Sequence, residues 1–129
     1  MAKRNRAAAT IGALKRSSPA LDADEALRSV REHVEDNFER QVPLAEAADV
    51  AGFERTYFSH YFHKKTGVTY VRWLNALRIS RSISFLRNRE MSISEVAEQV
   101  GYRDLRTFER NFKRFLGCTP SSFRRGLRS

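Results

Sequence analysis

At 129 residues the chain has room for one compact domain or two very small ones, and none for a separate sensing or catalytic domain. Its 24 Lys and Arg against 15 Asp and Glu give a formal charge of +9, which fits a polyanionic partner, although charge alone fits a well-solvated surface equally well. The single Cys118 leaves no internal disulfide and no CxxC spacing, which suits a reducing cytosol, and no run approaches the length of a membrane-spanning helix.

Residues 1–21 begin basic and carry a short alanine-rich run broken by Thr10 and Gly12. Lys15-Arg16 follows where a signal peptide would have a small-residue cleavage site, so the stretch is read as a flexible basic arm, either plain disorder or a weak groove contact. The remainder, 22–129, is read as one all-helical unit: subdomain one over 22–69, a linker helix over 70–88 and subdomain two over 89–129.

Asp22-Ala23-Asp24-Glu25 is an acidic helix start, and Leu27, Val30, Val34 and Phe38 follow at helical spacing, so a first amphipathic helix is expected to end near Glu39. Pro43 opens a short helix over Leu44 to Ala51 that Gly52 stops. Arg55 to Thr66 is the third helix, with Phe58, Tyr61 and Phe62 inward and Gly67 as its C-cap. Tyr70 to Asn88 lacks proline and glycine and is apolar on more than one side, so it reads as a long central helix of about 27 Å at 1.5 Å per residue. Ile93 to Val100 and Leu105 to Leu116 form a second helix pair, with Phe108, Phe112 and Phe115 toward its core. Thr119-Pro120 caps a short closing helix over Ser121 to Leu127. The total is about seven helices and no sheet.

The second pair repeats the first. Val42–Thr69 and Met91–Thr119 align with Gly52/Gly101 and Phe53/Tyr102 at an offset of 49, then with Phe58/Phe108, Phe62/Phe112 and Gly67/Gly117 at an offset of 50. One extra residue therefore enters the second copy just after the glycine, where a turn between packed helices tolerates it. Each copy has the pattern of a helix-turn-helix, and two in a basic chain suggest two reading heads on DNA.

With Phe58 and Phe62 inward, Thr56, Ser59, His60 and His63 share the opposite side of the third helix; with Phe108 and Phe112 inward, Arg106, Glu109, Arg110 and Lys113 do so in the second copy. Arginine can bond O6 and N7 of guanine, whereas glutamate accepts from N4 of cytosine and repels phosphate. Glu109 therefore either reads or excludes bases, or pairs with Arg106 or Lys113 on a solvated face. From Arg103 onward eight basic and two acidic residues give a net of +6, whereas Val42 to Thr69 is neutral overall, so the heads are unequal. His60 and His63, without a third ligand, do not make a metal site, and Cys118 has no activating neighbour in sequence. No cofactor is implied.

The turn Gly52-Phe53, the linker run Arg78-Ile79 with Phe85-Leu86, the support helix Ile93 to Val100, the turn Gly101-Tyr102, the segment Phe108-x3-Phe112-Lys113 and Pro120-x2-Phe123-Arg124 together resemble the DNA-binding domain of the AraC/XylS family of bacterial transcription regulators. The resemblance covers Asp24 to about Leu127. It implies a cytoplasmic, non-enzymatic protein that binds double-stranded DNA as a monomer, with both third helices in adjacent major-groove segments, and that contacts RNA polymerase as an activator. Carried over, the base-reading positions fall on Arg55, Thr56, Ser59 and His60 in the first head and on Leu105, Arg106, Glu109 and Arg110 in the second. Candidates for phosphate are His63, Lys64, Lys65, Lys113, Arg114 and Arg124. Ser82, the small side chains of the first reading face and Glu109 depart from the family pattern. With about twenty residues ahead of the domain, the chain looks like the small stand-alone members, or like the C-terminal piece of a longer ligand-responsive regulator. A nonspecific architectural DNA-binding protein is the competing reading of the same charge.

Overall fold

In the computed structural model, which describes residues 19–22 and 24–127, every regular element is a helix. The helices are α1 (Glu25–Asn37), α2 (Leu44–Ala51), α3 (Arg55–Thr66), α4 (Tyr70–Leu86), α5 (Ile93–Gln99), α6 (Leu105–Leu116) and α7 (Pro120–Gly126), and residues 19–22 are helical ahead of them. Each starts where the sequence offers an acceptor or a proline. Asp24 caps α1 by accepting from the Leu27 N–H at 3.1 Å, Thr69 caps α4 through Arg72 N–H at 3.2 Å, and Thr119 caps α7 through Ser122 N–H at 3.1 Å. Ser92 and Glu95 close a reciprocal capping box on α5. Pro43 opens α2 without a side-chain cap.

Two apolar cores lie on either side of the linker helix. The first gathers α1, α2 and α3 around Phe58 and Phe62 and takes Trp73, Leu74 and Leu77 from α4. The second gathers α5, α6 and α7 around Phe108 and Phe112 and takes Ala76, Ile79 and Leu86 from the same helix. All four phenylalanines are fully buried, each removal from water stabilising by about 1.5–3 kcal/mol. Because α4 serves both cores, it is apolar on two sides. Its 17 residues span about 26 Å, and it stops two residues before the expected Asn88.

The repeat is a repeat of structure. Phe53 N–H bonds to Ala48 O and Gly52 N–H to Asp49 O; in the second copy Tyr102 N–H bonds to Ala97 O and Gly101 N–H to Glu98 O, so the same glycine-closed turn ends both support helices. Gly67 and Gly117 end the third helices at φ 83° and 81°. The ring pairs Phe58–Phe62 at 5.8 Å and Phe62–Trp73 at 5.7 Å recur as Phe108–Phe112 at 5.7 Å and Phe112–Phe123 at 5.5 Å. The added residue falls between Tyr102 and Asp104: α3 begins three residues after Gly52, and α6 begins four after Gly101.

Two expectations change. The basic arm lies outside the described residues up to residue 18, but its last part is helical and Leu21 is 1% exposed within the first core, so folded structure begins before residue 22. Leu21 ends a stretch whose basic and small residues masked one apolar anchor. Tyr61, expected inward, packs half-buried at the edge of the first core, with its ring stacked on the exposed Tyr57 at 5.7 Å.

Candidate nucleic-acid interface

The outward sides of α3 and α6 carry most of the residues expected to read bases. On α3, Arg55, Thr56 and His60 are exposed and Ser59 is half-buried; the four line a shallow cleft with Pro43, Leu44 and Ala45 from the start of α2. That cleft brings the N-terminus of α2, which has no side-chain cap, beside the outward face of α3. On α6, Arg106 and Arg110 are exposed and Glu109 between them is half-buried. His63, Lys64 and Lys65 occupy the exposed last turn of α3, and Lys113 and Arg114 that of α6, where cations also suit the helix dipole.

Both α3 and α6 begin on a fixed carboxylate. Glu54 accepts from Thr56 N–H at 2.9 Å and Tyr57 N–H at 3.0 Å, and these two bonds hold its carboxyl below the ordinary range. Asp104 accepts from the Thr107 N–H at 2.8 Å and hydroxyl at 3.0 Å; these lower its pKa first, with Arg110 and Arg106 adding to the effect. The arginines on the outward face of α6 thus stand in the field of an anion at the helix start. Neither cap figured among the expected site residues, although the spacing Asp104-x-x-Thr107 carries the signal.

Two expected site residues have other work. Leu105 is half-buried against the second core, because the first turn of α6 points it to the same side as Phe108 and Phe112. Arg124, expected at phosphate, donates from Nε to Leu86 O at 2.9 Å and from Nη2 to Asn88 O at 3.2 Å. Its cation closes the C-terminal end of α4, where carbonyls are left without intrahelical partners, and ties α7 to the linker.

The helix-turn-helix domain family matches residues 47–126, the greater part of the chain. The chain belongs to the AraC/XylS family. This AraC/XylS domain is 33% identical over 92 residues to the TetD protein of transposon Tn10 from Escherichia coli, covering 71% of this chain and 67% of that one. It is 33% identical over 109 residues to the transcriptional regulator RipA of Corynebacterium glutamicum, covering 84% of this chain but only 33% of RipA. Against the DNA-binding domain of AdpA, a global transcriptional factor solved in complex with a target DNA, the TM-score is 0.71 at 26% identity, over 75% of this chain and 87% of that one. Family and fold are those of DNA-binding transcription regulators rather than enzymes.

Within the AraC/XylS scaffold, the side chain that composition conceals most is Arg78. It is 6% exposed in the middle of the linker helix, its guanidinium carbon 5.6 Å from the centroid of the Tyr102 ring, and burial draws its pKa below the usual arginine value. Among the described residues, no helix is long and apolar enough to cross a membrane, and no group of three His, Cys, Asp or Glu side chains is placed to hold a metal ion.

Proposed function

We propose that this AraC/XylS domain is a sequence-specific transcription regulator, acting as an activator in the cytoplasm, which binds double-stranded DNA as a monomer. It places α3 and α6 in adjacent major-groove segments of an asymmetric site and presents a surface to RNA polymerase. One observation carries the reading: a single scaffold occurs twice, and its two outward faces differ in chemistry, Thr56, Ser59 and His60 against Arg106, Glu109 and Arg110. Two equal heads would suit a direct repeat; unequal heads suit a site whose halves differ.

In this reading Arg55, Thr56, Ser59 and His60 select bases in the first segment. Arg106 and Arg110 select guanines in the second, and Glu109 disfavours bases whose groove edge offers no donor. His63, Lys64, Lys65, Lys113 and Arg114 hold phosphates, and the charge of +9 draws the chain to DNA without reference to sequence. Titration of selected and random duplexes at one stated salt concentration tests the proposal. The expected specificity ratio is ~10³ or more, and a ratio near unity would instead describe an architectural protein.

A further inference from the structure

The two matching turns are used differently. Gly52 and Gly101 have φ of 77° and 98°, yet a Cβ on Gly52 would meet nothing within 4 Å, whereas one on Gly101 would lie 2.2 Å from the Phe38 carbonyl oxygen and 3.0 Å from Arg78 Nε. The turn of the second head is therefore pressed directly onto the chain that leaves α1, which belongs to the first head. Side chains from three places fasten it. Arg78 donates from Nε to Phe38 O at 3.2 Å and from Nη2 to Arg40 O at 2.9 Å. Gln41 Nε2 donates to Gly101 O at 3.0 Å, and the Tyr102 hydroxyl donates to Asn75 Oδ1 at 2.8 Å.

A buried cation that meets backbone carbonyls and an aromatic face, in place of a carboxylate, is a costly way to fill space, and an apolar side chain would do that more cheaply. What the guanidinium adds is direction: it fits one placement of the α1 end against α4 and Tyr102. The residue inserted between Tyr102 and Asp104 supplies the chain with which Tyr102 turns inward while Asp104 still caps α6. In the first head Phe53 and Glu54 are adjacent, and Phe53 stays half-buried.

We propose that this junction is a spacing gauge: Arg78, Gln41, Gly101 and Tyr102 are positioning residues that fix α6 relative to α3, so that affinity depends on the number of base pairs between the two recognised segments. The inference rests on the two-headed DNA binding proposed above. Each inserted base pair moves the second segment by about 3.4 Å and turns it by about 35°, a displacement that a clamped pair of heads does not follow.

The test uses the full chain, a selected duplex, and derivatives with one or two base pairs inserted between the protected segments, with affinity read by fluorescence anisotropy. The parent is expected to lose ~10-fold or more in affinity on insertion, the scale of losing contacts to one or more base pairs. Arg78→Met, and separately the milder pair Gln41→Ala with Tyr102→Phe, leave every proposed base-reading side chain in place and should shrink that loss to about threefold or less. Thermal melting establishes that each variant is folded, and should Arg78→Met not fold, the paired variant decides. A parent that binds selectively but equally at all spacings overturns the gauge alone, as does a folded variant with the parental spacing profile. A parent with no selective binding at all overturns the two-headed reading and the gauge together.

Discussion

Replacing each turn glycine by alanine gives a matched pair, because the two positions share a hydrogen-bonding pattern and differ in what surrounds them. At Gly52, φ is 77° and the space beyond Cα is open, so alanine bears only the penalty of left-handed backbone, about 1–2 kcal/mol. At Gly101, φ is 98° and the new methyl would stand 2.2 Å from a backbone oxygen, which has no rotamer by which to withdraw. The α1 end or the whole second turn must shift, and overpacking of this kind adds about 1–3 kcal/mol to the backbone penalty. Gly101→Ala is therefore expected to cost about 2–5 kcal/mol against about 1–2 kcal/mol for Gly52→Ala. Urea titrations followed by far-UV circular dichroism give the comparison directly. In thermal melts the difference corresponds to roughly 4–8 °C for each kcal/mol in a domain of this size. Equal losses for the two variants, or a smaller loss at Gly101, would refute the close approach of the second turn to α1.

Three further outcomes follow from particular side chains. Arg110→Ala should weaken binding by about 1–3 kcal/mol and relax base preference at one position, and His60→Ala should cost less; competition titrations against single-base variants of the site measure both. Arg124→Ala should lower the melting temperature with little change in the salt dependence of binding, whereas Lys64→Ala should leave melting unchanged and reduce the salt slope by about one. Arg40, at 3.0 and 2.7 Å, and then His33 hold the Glu46 carboxyl down to about 2 from an ordinary 4.5. Because the folded value is the lower one, the stability this group contributes is complete above about pH 4.5 and is lost as pH falls toward about 2. Urea denaturation across that window should show a weaker pH dependence for Glu46→Gln than for the parent.

The elements legible in the sequence were those with local causes. Leu44–Ala51, Arg55–Thr66 and Leu105–Leu116 start and stop where proline, capping side chains and glycine dictate, and the phenylalanines four apart point the same way in both copies. The outward positions of Thr56, His60, Arg106 and Arg110 then follow from helical geometry alone. What local pattern could not supply was the use of an arginine. Arg78 and Arg124 carry the same charge as Arg110, but their partners are backbone carbonyls 36 to 40 positions away, and no spacing rule reports those. A weak signal existed for Arg78: a linker helix apolar on both sides leaves a central position little access to solvent. Leu105 shows the converse, since its place in the repeat marks it as a reading residue while its apolar side chain joins the core.

Footprinting of the purified chain on DNA selected from genomic fragments tests the central claim most directly. One monomer is expected to protect a single asymmetric site of ~20 base pairs as two major-groove segments about one helical turn apart. One protected segment, or a palindrome that requires two copies of the chain, would contradict it.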